Sequence, residues 1–234
     1  MKRFSVFLAV LALAGFAPLA QAAMQINYTI TGYGPAPPCI GTDDSFVSCA
    51  NTATPLLIQG LGGTSNSPGT ASQSNETSFT GRIQNNDTVS HTITIEVIAP
   101  DFTMPHTPPD LVFDSYIGGT VFSARAGSSL TYRSCIDDAN TLSGCPGTYQ
   151  SALATPSVTS AGAYSSDQSG PISSLTTTYA LDEELSITLA AGAALNWSAS
   201  SSLTPVPEPM SIALLGGVVL LPSRLIRRKR SEVS

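Results

Sequence analysis

Thr92-Ile93-Thr94-Ile95-Glu96-Val97 decides the fold class. Apolar and polar residues alternate, so an extended chain puts Ile93, Ile95 and Val97 on one face and Thr92, Thr94 and Glu96 on the other. A period of two, carried by β-branched residues, marks a strand with one dry and one wet side. The same reading extends outward. Ile26, Tyr28 and Ile30 alternate near the start, and Phe79 and Ile83 form another face. Asn85-Asn86-Asp87-Thr88 then reads as a hairpin turn leading into the Ile93 strand. Leu130, Tyr132, Ser134 and Ile136 line a further face. Leu185, Ile187 and Leu189 lead through a turn at Ala191-Gly192 to Leu195, Trp197 and Ala199, a final hairpin. Residues 61–77 and 150–174, rich in Gly, Ser, Asn and Thr, are expected to be long loops. Seven to nine short strands of this kind predict an all-β body over residues 23–204, an antiparallel β-sandwich of Ig-like or jelly-roll type.

Charge narrows the partners. Between the two ends the only cations are Arg82, Arg125 and Arg133, against fourteen acids, a balance of −11 that the whole-chain value of −6 conceals. A lysine-free acidic body excludes nucleic acid and anionic lipid as its natural company.

Four cysteines occur in matched pairs. Cys39 and Cys49 enclose nine residues, as do Cys135 and Cys145. Both loops open on Cys-Ile and carry paired acids, Asp43-Asp44 and Asp137-Asp138. Of the three pairings open to four cysteines, the matched spacing favours the two local ones. Each local bridge is worth about 3 kcal/mol in the chain-entropy account. The absence of C-x-x-C, and the sequence distance of both histidines from these loops, speak against zinc.

The two ends read as trafficking devices. Lys2-Arg3, an apolar stretch from Phe4 to Leu19 and the small-residue site Ala20-Gln21-Ala22 form a signal peptide over residues 1–22, with cleavage expected before Ala23. At the far end Val206-Pro207-Glu208-Pro209 precedes an apolar membrane segment, residues 210–226, and the cations Arg227, Arg228, Lys229 and Arg230. The prolines bar helix and central strand, the apolar run can turn helical, and the cations stay cytoplasmic. At 17 residues even by the longest count, the span sits at the low end for crossing a bilayer. These residues, 205–230, resemble the PEP-CTERM sorting signal of exported Gram-negative proteins. The resemblance implies processing by exosortase after passage through the Sec export machinery. It also implies an inner-membrane anchor with the body in the periplasm, then release to the cell surface or a biofilm matrix associated with exopolysaccharide.

Catalytic signatures are sparse. No G-x-S-x-G, H-E-x-x-H or P-loop occurs. His91 opens a strand and reads as a surface residue. His106, flanked by Asp101, Asp110 and Asp114, is a candidate base or metal ligand. Weak calcium candidates are Asp43, Asp44, Asp137 and Asp138, with Asp182-Glu183-Glu184 beside them; none has EF-hand spacing. The expectation is therefore a non-enzymatic exported protein without cofactor, binding extracellular polysaccharide or partner proteins. The competing expectation is a secreted, carboxylate-dependent hydrolase of glycosidase type.

Overall fold

A computed structural model describes residues 23–41, 46–141, 144–145 and 149–207. The signal-peptide residues Ala20 and Ala22, the acids Asp43 and Asp44, and the tail residues Glu208, Pro209, 210–226, Arg227, Arg228, Lys229 and Arg230 lie outside the described residues.

Two seven-stranded antiparallel sheets face each other. The first sheet runs β11(Tyr149–Gln150), β10(Ser129–Asp137), β13(Tyr179–Leu189), β8(His91–Phe102), β1(Gln25–Ile30) and β2(Gly34–Pro35), with β3(Cys39–Ile40) also on β1. The second runs β12(Gly162–Ile172), β9(Leu111–Ser123), β14(Ala194–Pro205), β7(Ser74–Asn85), β6(Gly62–Ser65) and β4(Phe46–Ser48), with β5(Leu56–Gln59) also on β7. The alternations read from the sequence fill the space between them. Ile26, Ile93, Ile95, Val97, Leu185 and Ile187 from the first sheet meet Ile83, Ile117, Leu195, Trp197, Ala199 and Leu203 from the second, all buried. Among the described residues no helix is long and apolar enough to cross a membrane.

Three local expectations are corrected. The Asn85–Thr88 segment is not a hairpin, because β7 and β8 belong to different sheets; the Ala191-Gly192 turn likewise carries the chain from β13 across to β14. Alternation says that a strand has a dry face, not which sheet owns it. Asn85 ties the two crossings together: its Nδ2 donates to Val89 O at 2.7 Å and Leu189 O at 2.8 Å. Residues 61–77 and 150–174 are not long loops, since they contain β6, the start of β7, β11 and β12. β12 is an edge strand, pairing only with β9, and an edge does not need an apolar alternation to be held.

Phe79 and Ile83 do not share a face. Leu195 pairs with Ile83 but Trp197 pairs with Thr80, so β7 carries one extra residue at Gly81-Arg82. This bulge inverts the side-chain alternation. Beyond it Ile83 points inward; before it Ser74, Glu76, Ser78 and Thr80 do, and Phe79 faces solvent.

Disulfides join Cys39 to Cys49, with Cα atoms 5.3 Å apart, and Cys135 to Cys145 at 5.6 Å. The second holds Cys145 against the outer face of the first sheet, its sulfur 3.9 Å from Asp182 O.

Candidate functional site

On the outer face of the second sheet stand Phe46, Phe79 and Tyr116, which the sequence scatters over seventy residues, 49%, 37% and 43% exposed, with Phe122 farther along β9. Strand register brings them together. One row across the sheet reads Gly118, Ser198, Phe79, Gly62 and Ser48 on β9, β14, β7, β6 and β4. The adjacent row reads Asp167, Tyr116, Ser200, Thr77, Thr64 and Phe46. Next to it come Ser169, Asp114, Ser202 and Asn75.

Glycines let the rings lie down. A Cβ on Gly118 would collide with the Tyr116 hydroxyl and sit 2.8 Å from Cζ, so the phenol covers Gly118. A Cβ on Gly62 would sit 3.0 Å from Phe79 Cζ, so that ring covers Gly62. Both rings therefore occupy the same row, three strands apart, roughly 14–15 Å at the usual strand spacing. Between and beside them stand hydroxyls and carboxylates. Ser198 is exposed, the Thr64 and Thr77 hydroxyls meet at 2.6 Å, and Asp114 and Asp167 are exposed at the β9–β12 side. Farther along β9 the Arg82 guanidinium lies 5.8 Å from the Phe122 ring centroid. An open, glycine-floored face with aromatic rings flanked by short polar side chains can stack a flat apolar surface while hydrogen-bonding its rim.

The other sequence candidates fall elsewhere. On the outer face of the first sheet, Arg133, Glu184, Glu96 and Asn27 form one cross-strand row. Arg133 Nε donates to Glu184 Oε2 at 2.6 Å, and Asn27 Nδ2 donates to Glu96 Oε2 at 2.9 Å. These two half-exposed carboxylates are one pair that a hydrolase reading could use, and each is already engaged; Asp114 and Asp167, both exposed on β9 and β12, are another. Asp182 sits beside the first pair, next to the Cys135–Cys145 disulfide; burial first, then Glu96 and Glu184, pushes its carboxyl well above the usual range. Asp182 also approaches the sulfurs of Cys135 and Cys145, but those are consumed in the disulfide and cannot ligate a metal.

Asp137 and Asp138 do not converge. Asp137 is buried and folds back on its own turn, accepting from Ala139 N at 3.0 Å and Thr141 N at 2.6 Å, while Asp138 faces solvent. His91 is not a surface residue: it is buried, with Nε2 2.9 Å from Asp87 Oδ2 and the edge of Tyr33 against it. That hydrogen bond holds the Asp87 carboxyl below its ordinary value. His106 packs on the Tyr179 ring, centroids 6.2 Å apart, with its Nε2 buried and unpartnered. That nitrogen has no carboxylate partner among the described residues. A cleft lined by Phe113, Tyr149, Gln150, Gln168 and Ile172 opens between β11 and β12, without a charged side chain.

Sequence reasoning missed the aromatic face and the inward-pointing acids. Two carboxyls, Glu76 and Glu183, are fully buried between the sheets. Burial pushes Glu183 up to about 8 and Glu76 well above its ordinary value, with Glu183 and Asp182 adding to the rise at Glu76. The signal was present in Ser74-x-Glu76-x-Ser78, a polar alternation whose odd positions include Phe79.

These features define a disulfide-pinned, antiparallel two-sheet sandwich with one aromatic face. No protein-family model matches the chain, and no curated protein matches it. Among solved structures it is similar to TmCBM61, determined in complex with β-1,4-galactotriose, at 8% identity and a TM-score of 0.26, over 66% of this chain and 90% of that one. So distant a likeness transfers nothing about binding.

Proposed function

We propose that this chain is an exported glycan-binding protein that grips an extended polysaccharide on the outer face of its second sheet. The observation that carries this reading is the row in which Tyr116 and Phe79 lie over Gly118 and Gly62 with Ser198 between them. Pyranose rings have an apolar face and a hydroxyl rim, and this row offers the complement of both. Exposed Asp114 and Asp167 favour a neutral or amine-bearing polymer over an anionic one.

Delivery belongs to the same proposal. The signal peptide leads the chain to the Sec export machinery, and the body folds in the periplasm, where the two disulfides form. The tail, with its Val206-Pro207-Glu208-Pro209 motif, holds the protein in the inner membrane until exosortase releases it to the surface or matrix. Only Val206 and Pro207 of that motif are described, and Val206 N still donates to Asp110 O at 2.7 Å, close to the end of β14.

The test is a glycan array probed with the full-length chain in detergent, followed by titration of the best ligand. Neutral polysaccharides are expected to bind. Tyr116→Ala and Phe79→Ala are each expected to weaken binding roughly tenfold, about 1.4 kcal/mol. Binding that survives loss of both rings, or catalytic turnover of the bound glycan, would overturn the reading.

A further inference from the structure

Between the sheets, strand register sets two polar rows against each other. The inner face of the second sheet presents Ser115, Ser201 and Glu76 side by side on β9, β14 and β7. The inner face of the first presents Ser134 beside Glu183 on β10 and β13. All five are buried, and Ser78, two residues beyond Glu76, is buried with them.

The oxygens of this chamber are under-used. Ser78 Oγ donates to Glu183 Oε2, and Ser201 Oγ lies 3.5 Å from Glu183 Oε1. Both oxygens of Glu76 are buried with no hydrogen bond of ordinary geometry, Ser201 being the neighbouring donor, and the buried hydroxyls of Ser115 and Ser134 have only the Tyr132 hydroxyl beside them. Among the described residues no cationic side chain reaches them: Arg82 and Arg125 are exposed, and Arg133 is engaged with Glu184 on the outside of the first sheet. A buried polar atom with no partner costs stability, and an unaccompanied buried carboxylate costs far more. The chamber nevertheless supplies four carboxylate oxygens and four serine hydroxyls, with no nitrogen or sulfur donor among them. An all-oxygen set of that size and charge matches a hard divalent cation, which takes six to eight oxygen ligands.

We propose that the chamber holds one calcium ion between the sheets, bound by the carboxylates of Glu76 and Glu183 and by the serine hydroxyls around them. Two negative charges from opposite sheets then meet one doubly positive ion, and the orphaned oxygens of Glu76 gain a partner. Because both acids are fully buried, the ion enters as the sheets close and exchanges slowly afterwards.

The experiment refolds the full-length chain in detergent at pH 7.5, with calcium chloride or with EDTA, and measures bound metal by elemental analysis and the melting temperature. One calcium per chain is expected to survive dialysis, with a melting temperature roughly 5–10 °C above that of the EDTA sample. Glu76→Gln, close in shape and neutral, is expected to keep its far-UV spectrum but lose both the bound calcium and the calcium response. Asp182→Asn, outside the chamber, is expected to keep both. Should Glu76→Gln fail to fold, Ser201→Ala is the substitute and is expected to weaken retention about tenfold. Wild-type protein that binds no calcium and melts identically with and without it would overturn the proposal. Calcium lost in Asp182→Asn but kept in Glu76→Gln or Ser201→Ala would do the same, since it would place the ion on the outer face.

Discussion

Removing calcium and raising the pH should loosen this fold in a way most proteins do not show between pH 5 and 8. Glu183 has an ordinary carboxyl value of 4.5 in the unfolded chain and about 8 in the folded one, because burial disfavours its charged form. A raised value means that the folded state holds the proton more tightly. Its contribution is therefore fully present below pH 4.5 and is lost as pH rises through about 8. Within that window each such group costs about 1.4 kcal/mol per pH unit. For a chain of this size that is a fall in melting temperature of about 3–6 °C per unit for Glu183 alone. Glu76 and Asp182 shift in the same direction and add to the slope, while Tyr132, Tyr164 and Tyr179, all pushed upward by burial, stay protonated throughout. The assay is thermal unfolding by circular dichroism in EDTA at half-unit steps from pH 5 to 8, on wild type and Glu183→Gln. The wild type should melt progressively lower, and the difference between the two curves reports Glu183 together with the part of the Glu76 rise that Glu183 causes. A flat wild-type profile, or a Glu183→Gln profile as steep as the wild type, would refute the reasoning.

Two further outcomes test the outer face and the tail. Gly118→Ala places a methyl group where the Tyr116 phenol now lies, so the ring must lift; glycan affinity should fall several-fold by titration, with the melting temperature changed little. Unchanged affinity would show that the flat ring is irrelevant. Replacing Pro207, Glu208 and Pro209 together by Ala should leave unprocessed protein in the inner-membrane fraction on immunoblots, and normal release would contradict the sorting proposal.

The strands with apolar alternation were legible in the sequence because burial dictates their residues. Ile93, Ile95 and Val97, or Leu185, Ile187 and Leu189, can be extended only with that face inside. The disulfide partners were legible by spacing. Edge strands were not: the Gly162–Ile172 strand, with serine, glycine and aspartate on both sides, is held by backbone pairing to β9, which composition does not record. The bulge at Gly81-Arg82 defeated the face assignment of Phe79, since one inserted residue reverses every side chain before it. The aromatic site stayed hidden for a related reason. Phe46, Phe79 and Tyr116 become neighbours only through register across β4, β6, β7, β14 and β9. Glu183, read in sequence as one of three adjacent acids for a surface cation, turns inward while Asp182 and Glu184 turn outward, as strand alternation demands.

The central claim, that the outer face of the second sheet holds a glycan, is tested most directly by hydrogen exchange of the full-length chain with and without saturating polysaccharide. Protection is expected in the peptides spanning residues 75–79, 114–118 and 198–202, with no change on the opposite face at residues 92–96 and 184–188. Protection confined to that opposite face, around Glu96 and Glu184, would contradict the account.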